Sequence, residues 1–249
     1  FLFYISDTTV IIDASTAHRV GVDGWVYGFP ELNDQQKFLV SNSKRIANPG
    51  CYPTGMIALC RPLVDAGILP ENTGLVVHAV SGFSGGGKAL MAIHHAGEAE
   101  PWGAYGFNLQ HKHLPEMAEY SKVGRKPLFC PAVGSFEQGM VVSVPLHYDQ
   151  LHEKGRSGAA IHGAIEERYK DSRFVSVRPL NETSDLERGA FLRPDSLNDT
   201  NDLELSVYAN DDDGMAWLVA RLDNLGKGAS GAAVQNLNLA LGLDEDAGL

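Results

Sequence analysis

The stretch Asn48-Pro49-Gly50-Cys51-Tyr52-Pro53-Thr54-Gly55 constrains this chain more than any other, because it sets a cysteine at the start of a helix. Pro53 suits the first helical turn, where a missing N–H costs nothing. Met56, Ile57, Leu59, Cys60, Leu63 and Val64 follow at roughly helical spacing, and Gly67 and Pro70 supply the stop. Pro62 falls inside this pattern and is expected to kink it. A cysteine is a useful nucleophile only as the thiolate, and the free N–H groups and positive dipole end of a helix start stabilise that anion. The position therefore predicts an activated sulfur at Cys51. The competing reading is a small buried residue in a turn.

Partners for such a sulfur stand about sixty residues on, in Gln110-His111-Lys112-His113-Leu114-Pro115-Glu116. Pro115 should open a helix at Glu116, which leaves both histidines on its approach. In an extended segment their side chains point to opposite sides, so at most one is expected to face Cys51. Glu116 is read either as orienting a histidine or receiving a polar part of the substrate, or as a first-turn residue favoured by the helix dipole.

These runs, together with Asp223-Asn224-Leu225-Gly226-Lys227-Gly228-Ala229-Ser230-Gly231-Ala232-Ala233-Val234-Gln235-Asn236, resemble the N-acetyl-gamma-glutamyl-phosphate reductase family. Asp13-Ala14-Ser15-Thr16-Ala17-His18-Arg19-Val20 and Trp25-Val26-Tyr27-Gly28-Phe29-Pro30-Glu31-Leu32 resemble its shorter subtype. The resemblance implies an NADPH-dependent reduction of an acyl phosphate to an aldehyde in arginine biosynthesis, in the cytoplasm, by a homo-oligomer that is a dimer or tetramer. It also implies a thioester on Cys51, reduced by hydride from a nicotinamide cofactor. A histidine is needed to manage the protons; His113 is preferred and His111 is second.

A buried strand over 75–80 leads into Ser81-Gly82-Phe83-Ser84-Gly85-Gly86-Gly87-Lys88. Glycine-rich backbone after a strand can approach phosphate or ribose closely, although a surface connection is the ordinary alternative. The resemblance places Ser81, Gly82, Ser84 and Gly85 at the cofactor, and likewise Asn224, Gly228 and Gly231. Ser15 and Thr16, at the end of a short strand, are expected to meet the nicotinamide end. Arg19 is an expected anchor for phosphate or carboxylate, since its planar fork holds either anion bidentately, and an exposed turn charge is the alternative.

The fold class expected is α/β plus α+β, with a partial Rossmann-type nucleotide-binding domain and a glyceraldehyde-3-phosphate dehydrogenase-like mixed-sheet catalytic domain. Residues 1–50 and 223–249 are read as the remainder of the NAD(P)-binding domain, and 51–222 as the catalytic, substrate and dimerisation domain. Strands are expected over 140–146 and 174–178, with a hairpin from 203–208 and 215–222 whose loop carries the acidic run at 211–213. A helix over 158–169 has Ile161, Ile165 and Tyr169 on one side. The closing helix, around 230–241, should return to the first domain.

A dinucleotide-binding domain should also carry a Gly-x-x-Gly-x-x-Gly turn after its first strand, and none precedes Cys51. Relative to the family, roughly sixty residues, a few βα units, are expected to be missing, and residues 1–9 fit its pattern poorly. The sequence as written is accordingly expected to hold NADPH weakly and to be nearly inactive.

Rival readings are a relative acting on an aspartyl or aminoadipyl phosphate, a non-catalytic remnant and a cysteine hydrolase. Three cysteines without paired spacing point to a reducing compartment, with Cys60 and Cys130 read as structural thiols. A net charge of −11 disfavours nucleic acid and anionic membrane as partners. His94-His95 and the acidic runs lack ligand spacing, so no metal is expected.

Overall fold

The computed structural model describes residue 6 and residues 8–249, so the expectation for the first nine residues lies mostly outside the described residues. Strands β1 (Ile11–Asp13), β2 (Val26–Tyr27) and β3 (Arg45–Ala47) form a small parallel sheet in the order β1-β3-β2. Helix α1 (Asp34–Ser41) follows β2, its N-terminus capped by the Asn33 side chain, which accepts from the Gln36 N–H at 2.8 Å.

Helix α2 (Cys51–Asp65) begins four residues after β3 ends. Every residue from Tyr52 to Val64 is buried, as befits a helix that is apolar nearly all round. It ends in a Schellman motif. Gly67 takes φ +63°, its N–H reaches the Val64 carbonyl at 2.9 Å, and the Ile68 N–H reaches Leu63 at 2.8 Å. Pro62 does not terminate the helix, which runs on to Asp65.

The floor under α2 is a mixed seven-stranded sheet. Its strands are β4 (Val76–Gly82), β5 (Trp102–Ala104), β6 (Leu128–Gly134), β7 (Met140–His147), β8 (Val175–Val177), β9 (Leu203–Asn210) and β10 (Met215–Leu222), in the order β5-β6-β4-β7-β10-β9-β8. β4 pairs with β6, and β8 with β9, in parallel; the other pairings are antiparallel. Val77, Ala79, Val142, Val144, Leu205, Val207, Leu218 and Ala220 are buried in the same core as α2. At Gly55 the helix comes so close to the sheet that a Cβ would stand 3.0 Å from Val142. Each fully buried side chain in this layer, such as Ile57 or Leu63, contributes about 1.5–3 kcal/mol of burial.

Helices α3 (Gly87–His95), α4 (Leu114–Ser121) and α5 (Gly158–Tyr169) lie between the strands. The chain closes with α6 (Gly231–Leu241), which packs back on the small sheet, where Leu239 shares a buried cluster with Val40 and Ile46. Cys60 is buried in α2, whereas Cys130 is exposed on β6, because its strand position faces away from the core. Among the described residues no helix is long and apolar enough to cross a membrane, and no cluster of three metal-ligating side chains is found.

Candidate active site

The turn from β3 to α2 leaves Cys51 as the first residue of α2, with Gly50 as the cap in extended conformation. The turn is held from three sides. Glu116, on the first turn of α4, accepts from the Gly50 N–H at 2.7 Å and from the Tyr27 hydroxyl at 2.7 Å. Arg19 donates from Nε to the Asn48 carbonyl at 2.7 Å, from Nη1 to Glu116 at 3.0 Å and from Nη2 to the Ala14 carbonyl at 2.9 Å. The Asn48 side chain donates to the Ala229 carbonyl at 2.8 Å, and Asn236 on α6 donates to Asn48 Oδ1 at 3.1 Å.

A cleft of about 890 Å³ opens in front of Cys51. Asn48, Pro49, Gly50, Arg19, His111 and His113 line one side; Ser81, Gly82, Ser84, Gly85 and Asn224 line another, and Gly228 stands behind the cysteine. A Cβ on Gly228 would lie 2.8 Å from Cys51 Cβ, so only glycine permits this approach. A Cβ on Gly50 would lie 2.7 Å from both Arg19 Nη1 and His113 Nε2, which shows how closely those two nitrogens converge on the turn.

The two histidines do not sit on an extended segment, and the expectation that they point to opposite sides is corrected. His113 is the cap of α4 with φ −88° and ψ −10°, and the helix begins at Leu114, with Pro115 in its first turn, rather than at Glu116. This turn brings both rings to the cleft, 4.8 Å apart and edge to face. The His113 N–H donates to His111 Nδ1 at 3.2 Å, which leaves the proton of a neutral His111 on Nε2. Among the described residues His113 Nδ1 is buried without a hydrogen-bond partner.

Electrostatics overturn the expectation of a preformed thiolate. Burial pushes the Cys51 thiol up to about 11, and the Glu116 charge adds to this, while the backbone N–H groups at the helix start and the Arg19 charge pull the other way. Desolvation outweighs the helix terminus at this position. Burial likewise drives His113 down to about 2, with His111, Arg19 and Lys112 contributing, and His111 is lowered by burial and by Lys112. The resting pair is a thiol and a neutral imidazole. Such a pair can pass the thiol proton to the ring as sulfur attacks.

Among the described residues Glu116 makes no hydrogen bond to either histidine side chain, and its buried carboxylate is spent on Gly50, Tyr27 and Arg19. Arg19, which lines the cleft, is 7% exposed rather than a surface charge, and among the described residues three of its five N–H donors are taken by the protein. Asn224 is in the cleft wall, with Nδ2 donating to Ser84 Oγ at 3.0 Å and Oδ1 accepting from the Gly139 N–H at 2.8 Å.

Ser15, Thr16 and Gly231 do not line the cleft, although Ala14 does. Ser15 folds back on Asp13, its N–H and hydroxyl each 2.8 Å from that carboxylate. Thr16 is exposed. Gly231 packs against Asn201 and the Gly226 backbone, where a Cβ would come within 2.4 Å of Asn201 Oδ1. Lys88 is exposed on α3 outside the lining.

Sequence reading missed Tyr52 and Tyr105, whose hydroxyls meet at 3.0 Å in the cleft wall. Tyr52 stood inside the cysteine motif. Tyr105 carries no local signal, because only the pairing of β5 with β6 brings it there.

The family model described as semialdehyde dehydrogenase, dimerisation domain, matches residues 51–224, the segment running from the cysteine to Asn224. In overall fold the chain is similar to aspartate semialdehyde dehydrogenase II from Vibrio cholerae, with a TM-score of 0.67 at 17% identity, covering 93% of this chain and 72% of that one. An aspartate semialdehyde dehydrogenase from Francisella tularensis superposes with a TM-score of 0.65 at 14% identity, over 92% and 74% of the two chains. In sequence it is 48% identical to N-acetyl-gamma-glutamyl-phosphate reductase 2 of Nostoc sp., over 98% of this chain and 78% of that protein. It is 47% identical to N-acetyl-gamma-glutamyl-phosphate reductase of Burkholderia orbicola, over 93% and 74%. Identity at this level, spread over a chain whose cysteine, paired histidines and glycine-lined wall share one cleft, shows that it belongs to the N-acetyl-gamma-glutamyl-phosphate reductase family.

Proposed function

We infer that this chain reduces N-acetyl-gamma-glutamyl phosphate to N-acetyl-glutamate semialdehyde with NADPH, releasing phosphate, as a step of arginine biosynthesis. The observation that carries this reading is Cys51 at the first position of α2, facing a cleft that also holds neutral His113.

Cys51 Sγ attacks the acyl carbon while the neutral imidazole of His113 accepts the thiol proton. The acyl carbon–oxygen bond breaks, phosphate leaves with the electron pair, and a thioester remains on Cys51. When bound, NADPH supplies hydride for the reduction at the thioester carbon. His113 then returns its proton to sulfur as the carbon–sulfur bond breaks and the aldehyde forms. His111, whose Nδ1 is already an acceptor, serves as a donor to substrate oxygen through Nε2. The two spare N–H groups of Arg19 bind phosphate or carboxylate. Glu116 positions Arg19 and the Gly50 amide rather than meeting substrate.

The cleft fits the nicotinamide-bearing end of the cofactor. Its wall at Gly82, Gly85 and Gly228 is bare backbone, and Gly85 stands where a Cβ would lie 3.1 Å from Ser81 Oγ and 3.6 Å from Asn224 Nδ2. Ser81, Gly82, Ser84, Gly85, Asn224 and Gly228 would hold it there. We read residues 1–50, which carry the small sheet of β1 to β3, together with 223–249 as the nucleotide-binding part, and 51–222 as the catalytic part. The matched family model is that of a dimerisation domain, which supports a homo-oligomer, dimer or tetramer. The free thiol that the chemistry requires supports a reducing, cytoplasmic setting.

The test is phosphate-dependent reduction of NADP by N-acetyl-glutamate semialdehyde, with the parent protein and with Cys51→Ser. Turnover in the parent that vanishes in the variant is expected. A folded parent that turns over only aspartate semialdehyde would overturn the substrate assignment.

A further inference from the structure

We propose that Lys227 is a positioning residue for the nucleophile: its buried ion pair with Glu31 fixes the turn over residues 226–230 so that Gly228 seats the Cys51 side chain. The inference rests on the reading of Cys51 as nucleophile.

The segment Gly226–Ser230 is a single π-helical turn ahead of α6. Such turns are rare and gather at functional sites. Gly228 in its middle is the residue that abuts Cys51 Cβ, and its N–H is tied to the Asp223 carbonyl at 2.9 Å. The residue just before it, Lys227, sends its side chain into the protein. It is 1% exposed, and Nζ lies 2.5 Å from Glu31 Oε1 and 2.6 Å from Gln235 Oε1. Gln235 in turn donates to Glu31 at 2.9 Å and to Glu245 at 2.7 Å, and the ammonium lies 5.4 Å and 5.8 Å from the ring centroids of Phe174 and Phe29. The turn behind the cysteine is therefore pinned to the Pro30–Leu32 turn beside the small sheet and to α6.

A fully buried ammonium is an inefficient way to fill this space. Apolar replacements of a buried ion pair are often neutral or stabilising, whereas removing one partner leaves an uncompensated charge. The pair here is also incompletely served, since Glu31 Oε2 has no hydrogen-bond partner among the described residues. What a short, directional ion pair provides that an apolar contact does not is one fixed register for the backbone that bears it. Here that backbone continues directly into the wall against Cys51.

The test compares the parent, Lys227→Met and the double variant Lys227→Met with Glu31→Leu, all in a Cys130→Ser background so that iodoacetamide reports on Cys51. The single variant leaves Glu31 buried and uncompensated, and is expected to lose stability. The double variant removes both charges, and its urea midpoint is expected at or above the parent's. Even so, its kcat is expected to fall by roughly 100-fold with little change in KM, and the alkylation rate of Cys51 at fixed pH to shift by roughly tenfold. A double variant with parent kcat and parent alkylation rate would overturn the proposal and leave the pair a purely structural one. Alkylation needs no substrate, so it reads the positioning even if the proposed reaction fails.

Discussion

The Gly50 amide donates to Glu116 Oε1 at 2.7 Å across 66 residues of sequence, so the backbone immediately before Cys51 is held by a carboxylate from another helix. The second oxygen of that carboxylate takes Arg19 at 3.0 Å, in a pair whose side chains are 7% and 2% exposed. Replacing Glu116 by Gln keeps the shape, removes the charge and leaves the guanidinium buried without a counter-charge. Breaking one side of a buried pair in this way costs about 3–5 kcal/mol. Urea unfolding of Glu116→Gln is expected to show a loss of that size, with a matching drop in kcat/KM. A loss under about 1 kcal/mol, the worth of an exposed pair, would contradict the positioning role.

Gly50 offers a sharper probe of geometry. Its missing Cβ would stand 2.7 Å from Arg19 Nη1 and 2.7 Å from His113 Nε2, so a methyl there must displace one of them. Gly50→Ala is expected to fold and to lose roughly 100-fold in kcat, the penalty for a displacement of about an ångström at a reacting group. Circular dichroism would check the fold and steady-state kinetics the loss. Unchanged kcat would mean that His113 lies outside the reacting geometry.

The elements that carry the site were legible where local pattern decides them. The apolar spacing after Cys51 and the Gly67 stop gave α2, and the acidic run closing on Gly214 between two alternating stretches gave the β9–β10 hairpin. What stayed hidden depends on contacts distant in sequence. The thiol is raised rather than lowered because burial, with the charge of Glu116 from α4, outweighs the helix start, and no local feature of residues 48–55 reveals that. Arg19 reads as a free anion anchor until Glu116, Asn48 and Ala14 are seen to hold it. The histidines were misplaced for a local reason: Pro115 stands at the second position of α4, so the turn begins before it and carries His113 into helical backbone.

The paired shifts of Cys51 and His113 set the pH dependence of catalysis. With the thiol near 11 and the imidazole near 2, neither group titrates across the neutral range in the free enzyme. The kcat/KM profile, which reports free-enzyme groups, is expected to lack any limb from this pair there. Replacing His113 by Asn should lower kcat by roughly 10²- to 10⁴-fold, the ordinary worth of a positioned acid–base group. A limb near 6.5, the ordinary histidine value, that disappears in His113→Asn would show that the imidazole is solvated and charged in the resting enzyme.

His113 also links stability to acid. Its pKa falls from 6.5 to about 2 on folding, so between those values the unfolded chain binds a proton at this position that the folded protein does not. Stability must therefore rise with pH through that window, and it is lost as pH falls below 6.5. The neutral ring is favoured in the native state because protonation would place a cation beside Arg19 in a buried site, with Nδ1 already lacking a hydrogen-bond partner among the described residues. His113→Asn removes the titration and keeps a polar group of similar reach. Urea midpoints measured from neutral pH down to mildly acid pH are expected to fall more steeply for the parent than for the variant, with the two curves diverging only below 6.5. Parallel curves would show that His113 takes up its proton in the folded state as readily as in the unfolded one.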